Sequence, residues 1–260
     1  MEKRVFIKMD DYYIPGIFCV AEKREKKSPA VILCHGFLSY KEGDGFMFNK
    51  MASVLLDHGI ASLRIDFCSM GENRNNRREY GILQMIREVE CAYNWLLKQE
   101  EIDEDKVGLI GHSLGGRVAA LSSSLNPCCI VSLNGALQNK MSSMKNVNQD
   151  DLNKQGYTIV HTSDNRSELL YQKFFNDLKQ AEEINAINNY RKPFLIVVGE
   201  KDPTVLPKLG LDFYDSYEND KKDLLVISDA NHTFNAKTGD YTKTLEMSEK
   251  VSDWLENIFF

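Results

Sequence analysis

The run Gly111-His112-Ser113-Leu114-Gly115-Gly116 constrains this chain more than any other stretch. It follows the apolar run 107–110 and opens a segment, 114–125, rich in Ala and small residues, which the pattern reads as a helix. A strand that turns straight into a helix has no room for side chains beside the bend, which accounts for glycine on both sides. Ser113 at the apex is then forced out of the sheet edge. The first N–H groups of the following helix point at the same spot, which places the Leu114 N–H to stabilise an oxyanion. A bare G-x-S-x-G arises by accident often enough, because glycine is common. The strand before it and the helix after it are what distinguish it from a glycine-rich turn without chemistry.

Around this turn, apolar strands and amphipathic helices alternate. Residues 4–9 and 16–22 read as two strands joined by a turn at Asp10 and Asp11, with Pro15 at the edge of the second. The continuous apolar run 30–34 suits a strand buried on both faces of a parallel sheet, as do 60–65, 107–110, 130–133, 193–198 and 224–227. Helices are predicted at 46–58, 81–98 and 241–258 from the three-and-four spacing of apolar residues such as Ile82, Met85, Ile86 and Val89. This rhythm predicts an α/β fold: a mostly parallel sheet with helices on both faces. Residues 136–190 break the rhythm. They are polar, rich in Asn, Gln, Ser and Lys, and read as an insertion folding over the C-terminal edge of the sheet, where open α/β sheets bind ligands. The expected organisation is a core of 1–135 and 191–260 with a cap at 136–190.

A serine nucleophile needs further groups. A second oxyanion donor belongs in the loop after a neighbouring strand, and His35-Gly36-Phe37 supplies a candidate in the Phe37 N–H. His35 reads as a structural hydrogen-bonding residue of that loop. The acid belongs after a later strand. Asp202 in Gly199-Glu200-Lys201-Asp202-Pro203 is the first candidate and Glu200 its competitor, while Asp202 also fits a plain turn before Pro203. The base belongs last, and of five histidines His232 alone fits the order Ser, Asp, His. Such a set calls for no cofactor and no metal.

The net charge of −6 over 260 residues offers no broad basic surface, so nucleic acid is not an expected partner. The Lys-rich stretch 22–27 carries two Glu and reads as a solvated turn. No window approaches the roughly 18 apolar residues of a membrane span, and no apolar segment of signal type opens the chain, so the expected location is cytoplasmic. The six cysteines form no C-x-x-C pair and read as buried free thiols.

The series H-G-F, R-I-D-F, G-H-S-L-G-G, G-E-K-D and N-H-T-F resembles the α/β-hydrolase superfamily over essentially the whole chain. The closer likeness is to feruloyl (cinnamoyl) esterases and their serine aminopeptidase-like relatives. Their length, initial strand pair and cap position are similar to this chain's. The resemblance implies an eight-stranded α/β-hydrolase sheet with Ser113 as nucleophile, Asp202 as acid, His232 as base, and Phe37 and Leu114 as oxyanion donors. It also implies a small-molecule ester as partner, and a homodimer is compatible with it. This chain departs in having Leu114 where these esterases often have Gln, and in lacking the second glycine often found after Asp66. In the cap, Tyr157, Tyr171, Phe174 and Phe175 are candidates for an aromatic wall over an acyl pocket, or else for gluing cap to body. Asp164, His161 or Gln172 are candidates to meet a phenolic hydroxyl. The expected activity is carboxylic ester hydrolysis, with small or hydroxycinnamoyl acyl groups. A peptidase using Glu168, Asp177, Glu182 or Glu183 for a substrate amino group, an acylglycerol lipase, and a non-catalytic binding protein are the alternatives.

Overall fold

The computed structural model describes residues 1–22, 26–73, 75–138, 147–162, 164–181 and 186–260. Part of the Lys-rich turn, and Glu182 and Glu183, lie outside the described residues. The elements run β1 (Glu2–Met9), β2 (Tyr12–Cys19), β3 (Ser28–Cys34), α1 (Met47–Asp57), β4 (Ala61–Ile65), α2 (Ile82–Leu96), β5 (Ile102–His112), α3 (Leu114–Leu121) and β6 (Ile130–Leu133). There follow α4 (Gln149–Gln155), β7 (Tyr157–His161), β8 (Ser167–Tyr171), α5 (Gln172–Ala181), β9 (Phe194–Gly199), α6 (Pro207–Ser216), β10 (Lys222–Ile227) and α7 (Thr242–Phe259).

Eight strands form one sheet in the order β1-β2-β4-β3-β5-β6-β9-β10. The β1–β2 and β2–β4 pairs are antiparallel and every other pair is parallel. The order reverses between β3 and β5, since β3 leads outward to β4 while β5 leads the other way to β6. In open α/β sheets a ligand crevice forms at such a reversal, beyond the carboxyl ends of the strands. Those ends carry Gly36, Phe37 and Ser113.

The inner strands are apolar on both faces because both faces are covered. Val31, Leu33, Ile110 and Val131 pack with Met51 and Leu55 of α1 and Met247, Val251 and Leu255 of α7. Ala30, Ile32 and Leu109 pack on the opposite side with Met85 and Val89 of α2 and Val118 of α3. Alternation along each strand thus serves two cores. Truncating a buried Leu, Ile or Met among these to Ala costs about 2–5 kcal/mol.

Several boundaries differ from expectation. The first hairpin closes on two residues, Asp10 having φ of 42°, so β2 begins at Tyr12 and ends at Cys19 rather than covering 16–22. Pro15 is consequently inside β2, opposite Phe6; pairing with β4 starts one residue later, at Gly16, and the Pro15 carbonyl accepts from Asp66 N–H at 2.9 Å. Strand β5 starts at Ile102, because Ser28 of β3 pairs with it there across a register shift. Helix α6, with Leu209, Gly210, Phe213 and Tyr214 at three-and-four spacing, is not among the helices predicted above. It lies on β9 through Gly210, where an added Cβ would stand 2.7 Å from Val198.

Between β6 and β9 the chain leaves the sheet and builds α4, the antiparallel hairpin β7–β8 and α5. Among the described residues no helix is long and apolar enough to cross a membrane. All six thiols are free, with Cys91 and Cys128 half-buried and the other four buried. Burial pushes Cys34 and Cys68 up to about 12, which leaves them protonated and inert.

Candidate active site

Ser113 caps α3 with φ 55° and ψ −119°, a conformation costly for a residue with a side chain. Tertiary packing holds it there. Its N–H donates to Leu133 O at 3.0 Å, and its own carbonyl accepts from Gly116 and Ala136 N–H, each at 3.0 Å. The flanking glycines are required by space. A Cβ at Gly111 would lie 2.0 Å from Gly115 O, and one at Gly115 would lie 2.1 Å from Cys34 O. The turn therefore presses helix α3 onto the end of β3, and the loop after β3 comes with it. At Gly36 an added Cβ would stand 3.3 Å from Ser113 Cβ.

The loops after β9 and β10 meet at the same rim. His232 Nδ1 lies 2.7 Å from Asp202 Oδ2. Asp202 is buried, and its other oxygen accepts from Thr204 N–H at 2.7 Å and Val205 N–H at 3.0 Å. Hydrogen bonds from these two backbone N–H groups fix the orientation of the carboxyl group. Its competitor Glu200 points elsewhere, accepting from Asp229 N–H at 3.0 Å on the exposed side of the turn.

Ser113 and His232 line one cavity of about 400 Å³, together with Gly36, Phe37 and Thr204. Leu114 opens α3, so its N–H has no acceptor within the helix. Among the described residues, neither it nor the Phe37 N–H has an acceptor in the chain.

The buried histidines hold loops. His35 Nε2 accepts from Phe67 N–H at 3.1 Å, which leaves Nδ1–H to donate to Gly36 O at 2.9 Å. Burial keeps it neutral by lowering its pKa. His112 donates from Nε2 to His232 O at 2.8 Å, and burial with the neighbouring His232 lowers it to about 4. Sequence reasoning found no use for His112 and missed Asn134. Asn134 Nδ2 donates to His232 O at 3.0 Å and Asn231 O at 3.2 Å, while its Oδ1 accepts from Gly199 N–H at 2.6 Å. Its place, an Asn before a Gly at a strand end, is the one signal that could have flagged it.

The four aromatic candidates of the inserted segment do not wall the cavity. Phe174 is fully buried and stacks on Tyr80 at 5.7 Å and against Phe37 at 5.2 Å. Phe175 meets Phe174 edge-on, and Tyr157 and Tyr171 face each other across the hairpin at 5.6 Å. Phe174 and Phe175 pack into the core, while the half-buried Tyr157 and Tyr171 pair with each other, an arrangement that spacing cannot reveal. The segment instead lines the cavity with His161, Thr162, Asp164 and Arg166. The Gln172 side chain donates to Asn176 Oδ1 at 3.2 Å, away from the cavity lining. Glu168 is paired with Arg77 and Arg166, and Asp177 with Lys173.

Among the described residues one group has metal-ligand geometry: His58, Asp253 and Glu256, with atoms within 4.8 Å of one another. It lies at the α1–α7 contact, not on the cavity, and both His58 nitrogens already meet carboxylates at 3.0 and 2.9 Å.

Known proteins share this architecture. A protein of Escherichia coli, described as an uncharacterized 31.7 kDa protein in the traX-finO intergenic region, is 25% identical over 242 residues, covering 79% of this chain and 84% of its own. A structure of Est1E from Butyrivibrio proteoclasticus with ferulic acid bound superposes with a TM-score of 0.76 at 19% identity, over 97% of this chain and 96% of that one. An esterase from Pyrococcus furiosus gives a TM-score of 0.70 at 21% identity, over 99% and 92% of the two chains. The model of the family BD-FAE matches residues 17–217. The sheet order, the turn at Ser113 and this match together identify the chain as a member of the BD-FAE family, esterases of the α/β-hydrolase superfamily.

Proposed function

We propose that the chain is a serine carboxylic ester hydrolase in which Ser113 is the nucleophile, His232 the base and Asp202 the residue that orients it. One observation carries the reading: a strained serine at the strand-to-helix turn opens into the same cavity as an imidazole whose far nitrogen meets a buried carboxylate. Because Nδ1–H donates to Asp202, the neutral imidazole presents Nε2 as its acceptor.

The Ser113 hydroxyl attacks the acyl carbon and its proton passes to His232. Asp202 stabilises the imidazolium, and the N–H groups of Phe37 and Leu114 stabilise the oxyanion. Collapse breaks the ester bond, the alcohol leaves with the proton from His232, and water repeats the cycle on the acyl-enzyme. The substrate's acyl group is small or flat and aromatic, as in hydroxycinnamoyl esters. A cavity of about 400 Å³ supports this, being ample for one aryl ring. The segment 136–190 acts as the cap, and its polar wall at His161, Thr162 and Asp164 suits an acyl or alcohol part bearing hydroxyls.

The test is a panel of nitrophenyl acetate, butyrate and laurate with methyl ferulate, run on the wild type and Ser113→Ala. Turnover of the short and aromatic esters is expected, reduced at least about a thousandfold by the substitution. Undiminished turnover in Ser113→Ala, or a preference for laurate, refutes the corresponding part of the reading.

A further inference from the structure

The loop that carries the second oxyanion donor is gripped from two sides at Leu38. Leu38 has φ of 53°, left-handed backbone that a leucine does not adopt unaided. Its N–H donates to the buried Tyr80 hydroxyl at 2.8 Å, and its carbonyl accepts from Arg166 Nη2 at 2.6 Å. Those two bonds fix the peptide units on either side of Leu38, immediately after the Phe37 N–H.

Arg166 is itself held. It comes from the connection between β7 and β8, where Asp164 accepts from its Nε at 2.8 Å and Glu168 from its Nη1 at 2.8 Å. Its guanidinium also lies 6.0 Å from the Tyr40 ring centre. Two carboxylates thus hold the guanidinium in place, and one of its Nη2 N–H groups reaches the Leu38 carbonyl. Beside this contact, Phe174 of α5 packs the Phe37 ring at 5.2 Å. The inserted segment thus meets the oxyanion loop at backbone and side chain alike.

We propose that Arg166 is a positioning residue for the reaction: through Leu38 it holds the Phe37 N–H aimed at the developing oxyanion, so that the inserted segment completes the reaction centre and does not merely cover it. This rests on the ester hydrolase reading above. A donor that must be preorganised loses effect when its loop can relax, and a displacement near 1 Å lowers rate by up to about a hundredfold.

The experiment uses nitrophenyl acetate, too small to need the hairpin for binding, with Arg166→Met, Arg166→Lys and Tyr80→Phe. Arg166→Met keeps an unbranched side chain and deletes the guanidinium donors, including the group that lies over Tyr40. The expected result is kcat about ten- to a hundredfold lower with KM within about threefold, a retained thermal transition, and recovery of kcat in Arg166→Lys or on adding millimolar guanidinium. Tyr80→Phe, which frees the other side of Leu38, is expected to give the same kcat-selective loss. Wild-type kcat in Arg166→Met or Tyr80→Phe overturns the proposal, as does a loss that neither lysine nor guanidinium restores. If Ser113→Ala retains activity, the serine reading falls first and this inference with it; if only the Arg166 and Tyr80 variants behave as wild type, the serine reading stands alone.

Discussion

Asn134 joins three backbone segments at once. Its carbonyl takes the N–H of Gly199 at the end of β9, and its amide donates to Asn231 and His232 in the loop after β10. With His112, which donates to the same His232 carbonyl, it sets where the imidazole stands relative to β5 and β6. Asn134→Ala removes all three bonds and leaves the buried Gly199 N–H unpaired, a cost of about 2 kcal/mol. We expect kcat/KM for nitrophenyl acetate to fall about ten- to a hundredfold, measured by steady-state kinetics beside urea unfolding. A stability loss without any kinetic change would show that Asn134 serves the fold alone. At this scale the sequence was legible where local sterics rule. The glycines beside Ser113 announce a tight turn, and chain order led to Asp202 and His232, which the structure brings to 2.7 Å. Asn134 and His112 were illegible because their partners lie 65 to 120 positions away.

Helix α2 carries a carboxyl deep in the core. Glu88 is fully buried; it accepts from the Tyr12 hydroxyl at 2.6 Å and from Cys68 N–H at 2.9 Å. Burial raises its pKa to about 7 against hydrogen bonds that lower it. The sign follows from proton counts. Between about 4.5 and 7 the folded protein keeps the Glu88 proton that the unfolded chain releases, so this group's contribution is full below that range and is lost as pH rises through it. Glu88→Gln should flatten the fall, which is on the order of 2–3 kcal/mol. Urea midpoints at pH 4.5 and 7.5 check it, and an unchanged slope in the variant would remove Glu88 as the cause. The amphipathic spacing of α2 was plain from its apolar residues, whereas nothing in that spacing marks Glu88 as a buried acid. Helix α6 was not predicted although Leu209, Gly210, Phe213 and Tyr214 keep three-and-four spacing; it meets β9 through Gly210 and through Phe213, whose ring lies 6.0 Å from that of Phe194.

At the scale of the molecule, α1 and α7 close one face of the sheet although almost two hundred residues separate them in sequence. His58 at the end of α1 reaches Glu249 and Glu256 of α7 at 2.9 and 3.0 Å. Its hydrogen bond to Glu249, with that to Glu256, raises its pKa. The link is therefore present below about pH 6.5 and lost as pH rises past the raised folded value. Because the pair partners are exposed, His58→Ala should cost only about 0.5–1 kcal/mol at pH 6, and less at pH 9. Thermal unfolding at both pH values tests this, and equal losses at each would exclude a charge effect.

What the sequence determined unaided was everything that short-range physics governs: the cramped turn at Ser113, the doubly buried strands, the spacing of the main helices, and hence the layered α/β architecture. Glycine sterics and side-chain periodicity act within a few residues and can be read from them. Only the tertiary structure decided which side chains of the inserted segment face the cavity. Tyr157, Tyr171, Phe174 and Phe175 pack on one another and on the body, while Asp164 and Arg166 turn inward. That choice depends on which surfaces meet when distant elements pack, and a polar segment with little periodicity carries no local record of its partners.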